Sequence, residues 1–342
     1  MPTAVPHVGT ARKMRAFAHP TSEETRLLAL KVARIAAVTP RIKSVELVAA
    51  GGGALPAFTA GAHIDVALGN GETRSYSLLN DATETQRYVI AVLRETDSRG
   101  GSTFVHDHLR EGDVLESSDP VNNFPLNEAG ERHILIAGGI GITPLMSMSR
   151  RLATRGAAFT LHYCARSRAE AAFIDEIEAA LGTRLVTHFD GGDIARGLDV
   201  TTLLKERPPA AHVYVCGPPG LIRAVREAAP HWPKGTVHYE LFRGSEADIA
   251  PRSSDQAFDV VLKRAGRTLH VPADKSILAT LADAGIKIKT LCKEGVCGTC
   301  RVGLVSGRAD HRDEVLTDEE RERNIQVCVS RAVPGETLVL DL

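Results

Sequence analysis

From about residue 30 to 126, apolar positions come in short β-branched runs punctuated by Gly, Pro and Asn. Residues 45–49, 63–68, 73–79 and 87–93 read as strands, and such short, turn-bounded runs predict a small antiparallel β-barrel. From about 127 to 244 the pattern changes, with strands at 133–137, 159–165, 183–189, 212–216 and 236–241. Helical patterns at 144–153 and 169–181 alternate with them, which predicts an α/β domain with a parallel sheet. Residues 245–256 have linker composition. The last segment, 257–342, opens with two strands joined at Ala265-Gly266, then a helix capped by Ser276 with Ile277, Leu278 and Leu281 on one face. The expected fold class is therefore multi-domain, behind an N-terminal extension at 1–29.

Composition narrows this picture. The chain has 342 residues, 43% hydrophobic and 24% charged, with a net charge of -1. That is an ordinary soluble composition, and it points to neither nucleic acid nor an anionic membrane surface. No apolar run approaches the ~20 residues a bilayer requires. Residues 1–24 mix Pro, His, Arg and Thr without an apolar signal core, so an extension is expected rather than a targeting peptide.

Four of the six cysteines carry the strongest chemistry. Cys292, Cys297, Cys300 and Cys328 follow C-x4-C-x2-C and then x27-C, the ligand spacing of a plant-type 2Fe-2S cluster. Three thiolates from one short loop need a tightly curled backbone, which Gly295 and Gly298 permit, with N–H groups aimed at the sulfurs. Disulfides would need an oxidising compartment. Structural zinc would usually show two C-x2-C units, and only one is present. Cys164 and Cys216 sit in apolar strands and read as buried thiols, in keeping with a reducing cytoplasm.

Two further constellations bear on cofactors. In Arg74-Ser75-Tyr76-Ser77 an apolar wall, a donor and a cation stand on neighbouring strand positions, as a flavin ring and its phosphate require. A barrel edge is the plain alternative. Gly100, Gly101, Ser102 and Thr103 open a helical run at 104–109 and form a natural phosphate cradle. Gly138, Gly139 and Gly141, followed by Thr143 and Pro144, join a buried strand to a helix. Such a turn lets a pyrophosphate approach the backbone, although it is not G-x-G-x-x-G. Cys216-Gly217-Pro218 ends another strand, where the ligand crevice of a parallel sheet lies. A core cysteine is the competing reading for Cys216, and a core aromatic for Phe242. Glu240 can orient a nicotinamide or close a strand-end ion pair.

These motifs, in this order, resemble the phthalate dioxygenase reductase family, which includes vanillate O-demethylase reductases. The resemblance covers residues 30–342 and implies an antiparallel β-barrel flavin domain, a nucleotide domain and a β-grasp 2Fe-2S ferredoxin domain. It implies FMN, with contacts at Arg74, Ser75, Ser77, Val92, Leu93, Arg94 and Gly100 to Thr103, and it places Phe242 on the flavin. Ser77, Cys216 and Phe242 are the residues expected at the reacting centre. The family uses NADH; Arg166 and Arg168 leave NADPH open, since an arginine after that strand can pair with a 2′-phosphate. The implied activity takes hydride from NADH onto FMN and passes single electrons through the cluster to a terminal Rieske-type oxygenase. A diiron monooxygenase as acceptor, or a regulatory subunit with structural zinc, are the alternatives. The protein is expected to be a cytoplasmic monomer that meets its oxygenase transiently. The acidic run at 313–321 reads either as a steering surface for that oxygenase or as a helix start capped by Thr317.

Overall fold

The computed structural model describes residues 27–242 and 252–342. Residues 1–26 of the expected extension at 1–29, and most of the expected linker, lie outside the described residues. Three large sheets and one two-stranded ladder are formed among the described residues. The first contains β1 (Leu28–Thr39), β2 (Ile42–Ala49), β3 (His63–Ala67), β4 (Thr73–Ser77), β5 (Tyr88–Leu93) and β6 (Val114–Ser117), ordered β4-β3-β6-β1-β2-β5. Its pairings are antiparallel. Alternate residues of these strands point inward, so Leu30, Val45, Leu47, Ile64, Tyr88 and Leu115 form one buried core. The two outer strands close on each other where Leu79 N–H donates to Val89 O (3.0 Å) and Val89 N–H donates to Asn80 Oδ1 (2.9 Å). Strand β1, twelve residues long, stays in register only by bulging twice, at 32–34 and 37–39. Helix α1 (Gly101–Asp107) follows β5.

The second sheet contains β7 (Arg132–Gly138), β8 (Ala158–Ala165), β9 (Leu185–Phe189), β10 (Ala211–Cys216) and β11 (Val237–Glu240), ordered β11-β10-β7-β8-β9. Strands β10, β7, β8 and β9 run parallel. Helix α2 (Ile142–Thr154) covers one face, burying Leu145, Met148 and Leu152 against Leu135, Leu161, Tyr163 and Tyr214. Ile42, Leu79, Val89 and Ala91 of the barrel enter this same core. Barrel and parallel sheet are thus packed together. Gly61 marks the approach: a Cβ there would sit 2.0 Å from Phe124 O.

Boundaries differ from expectation in instructive places. The helix expected over 169–181 is a 3-10 turn, Arg168–Glu170, and then α3 (Ile174–Leu181). Phe173 breaks the run with φ 59°, a left-handed conformation that its helix-forming neighbours gave no sign of. The strand expected from 183 starts at Leu185 because Gly182–Arg184 form another 3-10 turn. Helix α1 begins at Gly101, not 104, so most of the glycine cradle lies inside its first turn. Two short helices follow, α4 (Val200–Leu204) and α5 (Pro219–Ala228).

The third sheet contains β12 (Phe258–Leu262), β13 (Arg267–Val271), β14 (Arg301–Ser306), β16 (Asn324–Gln326) and β18 (Leu338–Leu340), ordered β13-β12-β18-β14-β16; β15 (Ala309–Asp310) and β17 (Arg331–Ala332) pair separately. Strands β12 and β18 are parallel, and their other neighbours antiparallel, with α6 (Ile277–Asp283) laid on the sheet. This is the β-grasp arrangement. Ser276 Oγ caps α6 by accepting from Ala279 N–H (3.1 Å), and Ile277 and Leu281 are buried. The acidic run is a helix start: Thr317 and Glu320 form a capping box on α7 (Asp318–Arg321). The first sheet and all of the second but Glu240 fall in one compact unit; the third sheet, with Glu240 and Pro218–Ile222, falls in a second.

Candidate functional site

On the barrel, the edge strand β4 presents Arg74-Ser75-Tyr76-Ser77. Ser77 is buried, and Tyr76 leans half-buried on the barrel core. Ser75 Oγ donates to Asp65 Oδ1 (2.7 Å), across the pairing with β3. Arg74 Nη1 bonds Glu72 Oε2 (2.7 Å), and its side chain lies across Gly101: a Cβ on that glycine would meet Arg74 Cγ at 2.9 Å. The strand motif and the glycine cradle, some twenty-five positions apart, are therefore in contact. That contact suits a phosphate, since a cation sits beside a glycine-opened helix turn. Ser98 Oγ organises the cradle by accepting from Gly100 N–H (3.2 Å) and Thr103 N–H (3.4 Å), while Ser102 Oγ accepts from Glu95 N–H (3.1 Å). At the end of β5, Val92 is a core side chain whose carbonyl takes a hydrogen bond from His106 Nε2 (2.9 Å). Leu93 is half-buried, and Arg94 forms a two-pronged pair with Asp107 (2.6 and 2.9 Å).

On the parallel sheet, the turns after β7 and β10 meet backbone to backbone. A Cβ on Gly141 would lie 2.2 Å from Cys216 O, and one on Gly217 would lie 2.9 Å from Gly138 Cα. These two glycines make room for each other's turn rather than for a ligand. Gly139, with φ 54° and nothing within 4 Å of its Cβ direction, is the one left open for close approach. Thr143 is buried, and its Oγ1 donates to Ile140 O (3.1 Å), so its hydroxyl serves the turn. Pro144 occupies the first turn of α2, as its fixed φ favours. Cys216 is fully buried among core residues, which gives the core-cysteine reading its due. Pro218 is exposed, and so is Phe242 (41%), at the end of the segment that carries Glu240.

All six cysteines lie among the described residues, and none forms a disulfide. In the second unit, the four expected ligands form two thiol pairs. Cys292 hydrogen-bonds Cys297, and Cys300 hydrogen-bonds Cys328. Among the described residues, no three His, Cys, Asp or Glu side chains converge on one point for a single ion. Two pairs of thiols suit two irons. The loop turns through three left-handed residues: Lys293 (φ 60°), Gly295 (φ 73°) and Gly298 (φ 76°). This aims backbone N–H groups at sulfur, from Glu294 to Cys292 (3.3 Å) and from Gly295 to Cys328. The thiol of Cys297 is pulled down to about 5, first by its bond with Cys292 and also by Thr299, whose Oγ1 is 3.1 Å away. The neighbouring sulfur first, and then burial, pushes Cys292 and Cys328 up. The donor set therefore fits a 2Fe-2S cluster.

Several supporting groups gave no signal in the sequence. Gln326, wholly buried, accepts from Cys300 Sγ (3.0 Å). Asp313, expected on an acidic surface, is instead buried beneath the cysteine loop, 3.2 Å from where a Gly295 Cβ would stand. Burial opposes its charge, but the His311 ring, 3.6 Å away, and a hydrogen bond from Leu316 N–H (2.9 Å) hold its carboxyl below the usual range. Arg312 and Arg331 enclose Asp255 in a buried ion network and tie the start of this unit to its core. At the far end of the parallel strands, His133, His212 and His238 stack beside Tyr214, with His212 Nδ1 and His238 Nε2 3.0 Å apart.

A glycine-packed nucleotide sheet joined to a four-thiol β-grasp unit defines an electron-transfer oxidoreductase. Residues 135–227 match the oxidoreductase NAD-binding domain, and residues 260–333 match the 2Fe-2S iron-sulfur cluster binding domain. Phthalate dioxygenase reductase of Burkholderia cepacia is 44% identical over 324 residues, covering 94% of this chain and 99% of that one. The reductase subunit of a tert-butanol monooxygenase / tert-amyl alcohol desaturase from Aquincola tertiaricarbonis is 44% identical over 325 residues, covering 92% and 96%. The solved structure of phthalate dioxygenase reductase, described as modular for electron transfer from pyridine nucleotides to 2Fe-2S, superposes with a TM-score of 0.71 at 43% identity, covering 92% of this chain and 98% of that one. The chain belongs to the phthalate dioxygenase reductase family. Its cofactors are accordingly NADH, FMN and a 2Fe-2S cluster.

Proposed function

We propose that this chain is the reductase component of a Rieske-type aromatic oxygenase or O-demethylase, a cytoplasmic monomer that meets its oxygenase transiently. The observation that carries this reading is the joining of two sites on one chain. One is a parallel sheet whose strand-end turns leave Gly139 open. The other is a loop that pairs Cys292 with Cys297 and Cys300 with Cys328. Flavin is the group that exchanges a two-electron donor for one-electron acceptors. In this reading Arg74 and Gly100 to Thr103 hold its phosphate, Ser77 faces the reacting edge, and Phe242 covers a ring face. The turns at Gly138 to Pro144 and at Cys216 to Pro218 bind NADH, with Glu240 orienting the nicotinamide.

The substrate is not touched by this chain, so its residues do not select one. The relatives' names fit this reading: one is a phthalate dioxygenase reductase and another the reductase subunit of a tert-butanol monooxygenase. Purified protein should show flavin and iron–sulfur absorbance, release FMN rather than FAD on denaturation, and support NADH-dependent turnover of a Rieske oxygenase. Efficient coupling to a diiron or haem oxygenase and none to a Rieske one would overturn the choice of partner.

A further inference from the structure

The end of β8 is where a choice between nucleotides is made. In a parallel sheet the dinucleotide lies across the C-terminal strand ends at the point where strand order reverses, here between β7 and β10. With its pyrophosphate at the glycine turn after β7, the adenosine ribose falls at the end of the neighbouring strand, β8. Four charged residues stand near there, one of them Arg196, whose Nη1 lies 3.7 Å from where a Gly191 Cβ would stand. Arg166 and Arg168 follow the strand directly. Asp190, at the end of β9, is drawn alongside: its N–H donates to Ala165 O (3.2 Å), and Gly191 N–H donates to Arg166 O (2.9 Å).

The two arginines are not equivalent. Arg168 is taken up by carboxylates on the helix that follows. Its Nη2 reaches Glu178 Oε2 at 2.7 Å and Asp175 Oδ1 at 2.5 Å, and its Nη1 reaches Glu178 Oε1 at 2.5 Å. Among the described residues, Arg166 makes no ion pair. Asp190 has one carboxylate oxygen engaged, accepting from Gly192 N–H (2.7 Å). The break at Phe173 sets this arrangement. It starts α3 late, so Asp175 and Glu178, three apart on one helix face, turn back toward Arg168.

We propose that Asp175 and Glu178 set the nucleotide choice by keeping Arg168 off the 2′-phosphate position, while Asp190 accepts from the ribose 2′-hydroxyl. The proposal rests on the reductase reading above and names a specificity device within it. A 2′-phosphate would have to compete with two carboxylates for Arg168 and would meet the charge of Asp190. Arg166 remains to receive it, together with Arg196, whose Nη1 lies 3.7 Å from where a Gly191 Cβ would stand. A 2′-hydroxyl faces neither obstacle.

The test compares kcat/KM for NADH and NADPH, together with binding of 2′,5′-ADP and of 5′-AMP, in three proteins. These are the native chain, the Asp175→Ala/Glu178→Ala variant, and that variant with Arg168→Ala added. Freeing a charge-assisted, two-pronged contact should raise the NADPH-to-NADH ratio about tenfold and tighten 2′,5′-ADP relative to 5′-AMP by a similar factor. Adding Arg168→Ala should erase both gains. An unchanged ratio in the double variant, or a gain that survives loss of Arg168, would overturn the proposal. The 2′,5′-ADP measurement needs no electron transfer, so it decides the proposal even if the reductase reading fails.

Discussion

Glycine does different work in the two units. In the nucleotide unit, Gly141 and Gly217 have ordinary backbone conformations and are needed because another backbone occupies the space a Cβ would take. In the cysteine loop, Gly295 and Gly298 have positive φ, and the backbone needs that conformation to turn its N–H groups toward sulfur. One site uses glycine for room, the other for direction. The distinction predicts which substitutions each will tolerate.

Gly141→Ala should have the largest effect. Its Cβ would stand 2.2 Å from a backbone oxygen that cannot swing aside. The nucleotide unit should lose about 3 kcal/mol or more, with NADH-dependent flavin reduction lost and the iron–sulfur spectrum kept. Thermal unfolding followed at flavin and cluster wavelengths checks this. Gly295→Ala combines an unfavourable left-handed backbone with contacts to the buried Val329 Cγ2 at 2.7 Å and to Asp313 Cα at 3.2 Å. Together these should cost about 2–3 kcal/mol and lower iron content while leaving flavin reduction in place.

Acid should separate the units in another way. Burial first, then a neighbouring histidine, lowers His238 and His162 of the nucleotide unit to about 4. The unfolded chain takes up these protons near pH 6.5, whereas the folded chain resists until about 4. Stability is therefore full above pH 6.5 and falls as pH drops from there to about 4. The loss is on the order of 1–2 kcal/mol for each histidine after solvent screening. Replacing His238 with Gln should flatten that slope, read as the unfolding midpoint across the same range. The smallest effect is expected for Gly298→Asn. No atom lies nearer than 3.6 Å to its Cβ direction, and Asn tolerates the left-handed region. The cost should stay below about 1 kcal/mol, with cluster content unchanged. A large loss there would show that room, not direction, limits the loop as well.

Local signals were legible in the sequence where chemistry fixes spacing. The cysteine ladder, the Ser276 cap and the Thr317 helix start depend on neighbours in the chain, and the structure caps helices at Ser276 and Thr317. Contacts between distant segments were not legible. Nothing in Gly141 or Gly217 distinguishes packing against another turn from approach to a ligand. Asp313 reads as one more acidic residue until the fold buries it beneath Gly295. The break at Phe173 was hidden because Ala169 to Ala172 are good helix formers and the turn there is imposed by tertiary packing. The ion network around Asp255 joins residues more than fifty positions apart and leaves no periodic trace.

The central claim is that NADH oxidation and one-electron delivery are separate tasks of the two units. The most direct measurement follows flavin bleaching by NADH under anaerobic conditions, alongside reduction of a one-electron acceptor, in the native chain and in Cys297→Ser. Flavin reduction should stay within about twofold of native, with a loss of about a hundredfold in acceptor reduction, since the cluster is the one-electron exit assigned to the chain. Native-like acceptor reduction in the variant, or failure of flavin reduction in a folded one, would contradict it.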